Sequence, residues 1–376
     1  MQIYKNLFLH LYYNAPFQLF SVLQDLTKPG MTKKKIRTIE ELGEFGLIDH
    51  LTSGIQCRQK STRMGIGDDA AVIDHGTYFQ VVTTDLLLEG VHFDLVYTPL
   101  KHLGYKAVVV NLSDVYAMNA APRQITLSLG ISGKFSVEAL EEFYEGVMLA
   151  CERFGVDLVG GDTSASLTGL VISVTAIGTV IKEEITLRSG AKPNQLVCVT
   201  GDLGASYMGL KILEREKQLH IADPGFQPEL KGYDYVLERF LKPEPRVDVL
   251  LAMKEAGIIP GAMIDISDGL SSELLHLCKA SGIGCQVYDD RIPVAKETME
   301  VAGEFRLEPL VAALHGGEDY ELLFTVPLSD FDKVSAIKGV SVIGNMTGKG
   351  DKALLVGNDG NTILLQAQGW NAYPNN

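Results

Sequence analysis

The chain has no apolar run long enough to cross a bilayer. Residues 3–23 come nearest, but Lys5, Asn6, His10, Asn14, Pro16 and Gln18 interrupt them, and a spanning helix needs about 18 to 20 consecutive apolar residues. The stretch also lacks the compact apolar centre and small-residue cleavage site of a secretion signal. No C-x-x-C pair occurs, and the five cysteines (Cys57, Cys151, Cys198, Cys278, Cys285) are odd in number. That favours core thiols in a reducing, cytoplasmic setting over a disulfide framework. Basic residues are in deficit, 33 against 47 acidic ones, for a formal net charge of −14. Nucleic acid is therefore an unlikely partner without metal help. There is no G-x-x-x-x-G-K-[ST] phosphate loop and no kinase H-R-D set. A polyphosphate would have to be bound through local basic clusters or divalent cations.

What the chain does have is aspartate at the ends of strands and helices. The run Met64-Gly65-Ile66-Gly67-Asp68-Asp69-Ala70-Ala71-Val72-Ile73 puts two adjacent carboxylates in a glycine-rich turn. Gly65-x-Gly67-x-x-Ala70 fits a dinucleotide fingerprint, but such a turn aims bare N–H groups at a pyrophosphate. Asp68 and Asp69 would repel it. Three more acidic motifs follow in the first half: Thr83-Thr84-Asp85, Asn111-Leu112-Ser113-Asp114 and Gly160-Gly161-Asp162. Asp265-Ile266-Ser267-Asp268-Gly269 is a fifth, in the second half. Oxygen-only ligands suit hard Mg²⁺ better than zinc or copper. A solvated acidic turn remains the alternative for Asp68-Asp69, and a structural salt bridge the alternative for Asp114.

At 376 residues the chain has room for two domains, each with a core. Residues 1–30 read as an extension outside the fold, because Met31 follows the turn-like pair Pro29-Gly30 and opens a charged stretch. Patterning predicts a helix over Ile39–Leu51, a loop over 52–63 and a strand from Tyr78 to Thr84 ending at Asp85. A helix from about Leu100 to Asn119 follows, with Leu103, Ala107, Val110, Asp114 and Ala117 on one face. Ile125, Leu127, Leu129 and Ile131 alternate as a half-buried strand. Ser136 caps a helix with core face Val137, Leu140, Tyr144, Val147 and Cys151. Strands at Asp157–Gly160 and Leu170–Gly178 and a connection over 181–194 complete the first half. The second half reads as a strand Leu196–Thr200 followed by a helix, a polar surface excursion over 217–245 and a strand end at Met263–Asp265. A helix Leu270–Ser281, and a glycine turn with a strand within Leu314–Val326, complete it. The order is α+β, not strict βαβ alternation.

The segments GIGDDAAVI, TTDLLLEGVHFD, YKAVVVNLSDVYAMNAAP, VGGDTSAS, LRSGAKP, IDISDGLSSEL and HGGEDYELLFTV, in this order over roughly residues 44–373, resemble the thiamine-monophosphate kinases of the aminoimidazole-ribonucleotide synthetase-like superfamily. The resemblance implies an α+β, two-domain PurM-like architecture. Residues 31–180 would form a ferredoxin-like half-barrel that binds Mg-ATP and dimerises, and residues 187–376 an α+β C-terminal domain. It implies a cytoplasmic homodimer carrying out the last step of thiamine diphosphate biosynthesis: direct in-line, Mg²⁺-assisted transfer of a phosphoryl group from ATP to thiamine monophosphate. By motif, Asp69, Thr83, Thr84, Asp85, Asp114, Asp162, Asp265 and Asp268 would hold several Mg²⁺ ions. Asp69, Asp85, Asp114, Asp162 and Asp265 would be catalytic. Gly161, Asp162, Arg188 and Ser267 would contact ATP, and His92, Glu318 and Trp370 the thiamine moiety. From the residues themselves, His92 could equally be a core histidine, Glu318 a solvated turn residue and Trp370 a cap on exposed core. The nearest rivals are purine-pathway or selenophosphate synthetases of the same superfamily, though Cys57 lacks the setting of a selenophosphate-synthetase cysteine; the superfamily's hydrogenase-maturation member carries a C-terminal cysteine, and this tail has none. A non-catalytic Mg-nucleotide-binding protein is the rival from another class.

Overall fold

The computed structural model describes residues 39–367. Helix α1 (Ile39–Thr52) stands by itself as one unit and breaks at Gly43, whose φ is 66°. From Gly54 the described chain forms one compact unit built on two sheets. The expected extension, residues 1–30, and Trp370 lie outside the described residues.

The first sheet is made of β1 (Thr62–Met64), β2 (Ala71–Asp74), β3 (Tyr78–Leu88), β4 (Ala121–Ile131), β5 (Asp157–Ala165) and β6 (Val171–Ile181), with strand order β1-β2-β3-β6-β4-β5. Helix α2 (Leu100–Ala117) joins β3 to β4, and α3 (Val137–Phe154) makes the crossover between the parallel strands β4 and β5. Parallel neighbours need such a crossover. Strand β3 does not end at Asp85 but runs three residues further, paired along its whole length with β6.

The second half contributes β7 (Leu196–Thr200), α4 (Ala205–Ala222), α5 (Asp234–Leu241), α6 (Val247–Glu255), β8 (Ala262–Asp265), α7 (Leu270–Ser281) and β9 (Ile283–Tyr288). It continues through α8 (Lys296–Glu304), α9 (Pro309–His315), β10 (Leu322–Val326), α10 (Phe331–Ser335), β11 (Val340–Lys349), β12 (Ala353–Val356) and β13 (Thr362–Leu364). Its sheet order is β13-β12-β9-β11-β7-β10-β8.

Helix α2 packs on β3 and β6 on one side and on β8 on the other. Most of its residues are buried, because apolar side chains such as Leu103, Val108, Val109, Leu112 and Val115 lie all round it. The halves therefore share a core: Leu103, Leu112 and Val115 belong to the same apolar cluster as Met263, Phe324 and Val249. The opposite face of the second sheet packs a separate core around Leu270, Leu274 and Val287.

Two further sequence expectations shift. Ser136 does cap α3, its Oγ accepting from Ala139 N–H at 3.2 Å, but the buried face is Phe143, Gly146, Val147, Ala150 and Cys151. Val137 and Tyr144 are exposed. The helix carries two interleaved apolar stripes, and packing against α2 selects one. Residues 217–245 are not wholly a surface excursion. Helix α5 lies there with Val236 and Phe240 buried, and its Arg239 turns inward to Glu321 at 2.9 Å.

Candidate active site

The end of α2, the Gly67–Asp69 turn and the end of β8 converge. One carboxylate oxygen from each of Asp69, Asp114 and Asp265 lies within 4.8 Å of the others. Each side chain is fixed by a neighbour on another element. Thr83 Oγ1 on β3 donates to Asp114 Oδ2 at 2.6 Å. Ser113 Oγ on α2 donates to Asp265 Oδ2 at 2.6 Å, which ties the two halves together at the site. Arg188, in the connection between the sheets, donates through Nη2 and Nε to Asp69 Oδ1 at 2.6 and 3.2 Å. Its own N–H bonds both Asp68 oxygens at 3.1–3.2 Å. Asp69 Oδ2 is buried without a hydrogen-bond partner among the described residues.

The electrostatics follow from burial. Asp114 is pushed well above the usual carboxylate range by burial and then by the charges of Asp85, Asp265 and Asp69. Burial, with the Asp69 charge next, lifts Asp265 to about 7 and Asp68 to about 7. Burial lifts Asp85 to about 6. Asp69 is also raised by burial, although Arg188 opposes the shift. For Arg188, burial works against the charge, and contact with Asp69 outweighs it and raises its pKa. Carboxylates this close cannot all ionise in a protein interior without a compensating cation. A hard divalent cation with oxygen ligands fits the donor set and would use the orphaned Asp69 Oδ2.

Two residues of the Asn111-Leu112-Ser113-Asp114 motif gain roles that sequence left unassigned. Ser113 holds Asp265, and Asn111 Oδ1 accepts from the Asp85 N–H at 3.0 Å while its Nδ2 bonds Ala107 O at 3.0 Å. Their signal was polarity inside an otherwise apolar helix. Asp268 N–H donates to the buried Glu273 carboxylate at 2.8 Å. Ser267 offers its carbonyl to Glu318 N–H at 2.6 Å. Glu318 follows Gly317, at φ 73°, where a Cβ would meet Ser267 O at 2.6 Å. The Glu318 carboxylate bonds Lys106 Nζ at 3.0 Å. His92 Nδ1 accepts from Leu88 N–H at 3.1 Å, which places the proton of the neutral ring on Nε2.

The structure does not bring every expected residue to the cluster. Neighbouring residues of a strand face opposite ways. Thr83 points to the helix-covered face of the first sheet, and Thr84 points to the open face, where it accepts from Thr175 Oγ1 at 3.1 Å and donates to Val174 O at 3.0 Å. Asp162 is exposed on the edge strand β5. Its register runs Asp162–Ser128–Ser173–Leu86 across the sheet, so it lies three strands, about 14 Å, from β3. Gly161 beside it has a packing reason, since a Cβ there would sit 1.7 Å from Leu127 O.

Comparison with known proteins fits this geometry. Residues 67–180 match the family "AIR synthase related protein, N-terminal domain" and residues 192–357 the corresponding C-terminal domain. The two sheets are thus those of an AIR synthase related protein. Thiamine-monophosphate kinase of Bacillus subtilis (strain 168) is 33% identical over 342 residues, covering 88% of this chain and 100% of the relative. That of Aquifex aeolicus (strain VF5) is 34% identical over 316 residues, 81% of this chain and 96% of the relative. A solved structure, AaThiL complexed with AMPPCP and TMP, superposes with a TM-score of 0.76 at 32% identity, covering 90% of this chain and 100% of that one. The chain belongs to the thiamine-monophosphate kinase family.

Proposed function

We propose that this chain transfers the γ-phosphoryl group of ATP to the phosphate of thiamine monophosphate, giving ADP and thiamine diphosphate. The observation that carries the reading is the trio Asp69, Asp114 and Asp265, with Asp69 and Asp265 buried and Asp114 half-buried, placed where both halves meet. In the transfer, the bond from the γ-phosphorus to the ADP oxygen breaks. A bond to an acceptor phosphate oxygen forms in line with it. That acceptor oxygen is largely ionised at neutral pH, because the second phosphate pKa is near ~6. No general base is required, and repulsion between two polyanions is the barrier to overcome.

Mg²⁺ held by Asp69, Asp85, Asp114 and Asp265 would supply that charge neutralisation and the orientation of the phosphates. The protein's own part is to hold these carboxylates immobile. Thr83, Ser113 and Arg188 do so from three different elements, and Asp268 extends the acidic lining at the start of α7. Arg188 and Ser267 take the nucleotide side, together with Gly161 and Asp162 from the open face. His92, Glu318 and Trp370 take the thiamine side, where a flat cation suits an aromatic face and a carboxylate. Thr84, whose hydroxyl faces the other way, stays with the strand ladder.

We place the protein in the cytoplasm. ATP as co-substrate and cysteines that are free among the described residues are consistent with that. No helix among the described residues is long and apolar enough to cross a membrane. We place dimerisation on the first sheet, around residues 78–84 and 125–131. Leu86, 52% exposed beside them on the open face, supports this. Leu86→Arg should convert a two-fold dimer into a monomer at micromolar concentration in sedimentation, and a wild type that sediments as a monomer contradicts the assignment. The reaction itself is tested by coupled ADP release. It should need both thiamine monophosphate and a divalent cation and should stop on chelation. ADP release at an equal rate with free thiamine contradicts the reading.

A further inference from the structure

Lys106 is a lysine buried in the middle of α2, only 4% exposed, with apolar residues on both sides of it in sequence. A buried ammonium persists only when it is paired. Its Nζ donates to Glu318 Oε2 at 3.0 Å and to Phe240 O at 3.0 Å, and lies 4.2 Å from the centre of the Phe240 ring. The helix that carries Asp114 is thus joined directly to the turn that carries Glu318.

That turn is held in a costly conformation. Glu318 and Tyr320 have φ of 56° and 52° on either side of Asp319, a region that side chains other than glycine avoid. Such strain survives only where the surroundings over-determine it, and it gathers at functional sites. Here every residue is pinned. Glu318 and Tyr320 N–H bond Ser267 O and Ile266 O at 2.6 and 2.9 Å. Asp319 accepts from Gly204 N–H, at the start of α4, at 2.8 Å. Glu321 is gripped by Arg239 and Arg246, both at 2.9 Å. Helix α5 provides both Arg239 and, next to it, the Phe240 carbonyl that holds Lys106. The turn is therefore fixed in its backbone, and Lys106 fixes the direction of the Glu318 carboxylate, whose side chain is 28% exposed.

We infer that Lys106 is a positioning residue of the acceptor side of the site, acting through Glu318 to set which carboxylate oxygen meets thiamine monophosphate. This rests on the reaction proposed above. The paired lysine also makes Glu318 a neutral ion pair before the acceptor arrives, so its contribution is an oriented hydrogen-bond acceptor more than a free negative charge.

The test is steady-state kinetics of the full chain with ATP and thiamine monophosphate, for the wild type, Lys106→Met, Glu318→Gln and the double variant. Lys106→Met should raise the acceptor KM about tenfold, as for loss of one charged hydrogen bond, and leave the ATP KM within about twofold. In the Glu318→Gln background the same substitution should change the acceptor KM less than about twofold, because residues acting as one unit are not additive. Effects that multiply, an equal rise in both KM values, or an unchanged acceptor KM with a lowered Tm each overturn the inference. Should Lys106→Met alone not fold, Lys106→Arg, which keeps the charge and moves the donor, should still raise the acceptor KM severalfold with the ATP KM within about twofold, and an unchanged acceptor KM in that variant overturns the inference. A wild type without turnover overturns the proposed reaction and this inference with it, whereas a working wild type with multiplying effects overturns only the inference.

Discussion

The two faces of the first sheet carry residues from the same motifs and treat them differently. The face under α2 holds Thr83 and Asp85 beside Asp69, Asp114 and Asp265, carboxylates that are buried or half-buried and repel one another. The open face holds Thr84, Ser173, Thr175, Ser128 and Asp162; in the single chain Thr84 and Asp162 are exposed, and Thr84 shares hydroxyl hydrogen bonds with Thr175 and Ser173. Thr83 and Thr84 are adjacent in sequence, yet one supports the carboxylate cluster and the other does not. Motif membership alone therefore does not give a residue its chemistry. The same charge is worth far more where water is excluded.

The contrast breaks first at Asp114. Asp114→Asn should lower kcat by at least about 100-fold, as for removal of a preorganised electrostatic element. It should also raise Tm in chelator, since a repelled buried charge is removed. Near-normal turnover would make the residue structural. On the open face, Asp162→Asn should cost less, about a tenfold rise in the ATP KM with kcat nearly kept. An effect on kcat as large as that at Asp114 would place Asp162 in the metal centre and erase the contrast.

Acidity offers a third comparison. Asp68 and Asp265 titrate near 7 and Asp85 near 6 in the folded chain, against about 3.9 when unfolded. The folded state therefore holds more protons through roughly pH 4 to 7, so metal-free stability falls as pH rises across that window. Thermal melts in chelator should show Tm declining from pH 5 to 8. The gain on adding Mg²⁺ should grow over the same range, because the ion competes with those protons. A Mg²⁺ gain independent of pH contradicts the assignment. The smallest effect belongs to Thr84→Val, which should change both KM values and kcat by less than about threefold. Its hydroxyl bonds only its own sheet, at Thr175 Oγ1 and Val174 O, and a single neutral hydrogen bond is worth about 1 kcal/mol.

Much of this was legible in the sequence because local rules governed it. Strand Leu196–Thr200 and helix Leu270–Ser281 match their apolar patterns, and Ser136 caps its helix. Three of the five aspartate motifs meet in the cluster, through Asp69, Asp114 and Asp265. Which face each residue takes was harder to read, because strand β3 continues past Asp85 and its alternation separates Thr83 from Thr84. Lys106 was also hidden, since its partner lies 212 residues away in sequence. Arg239 stood in a polar stretch that reads as surface, and only the fold shows that the polar groups turn inward to Glu321.

The most direct measurement uses ATP labelled at the γ-phosphate with the wild type and Asp114→Asn, separating the products. The account predicts label in thiamine diphosphate when thiamine monophosphate is the acceptor, none in thiamine monophosphate when free thiamine is offered, and transfer reduced at least about 100-fold in the variant. Label entering free thiamine, or equal transfer by the variant, would contradict it.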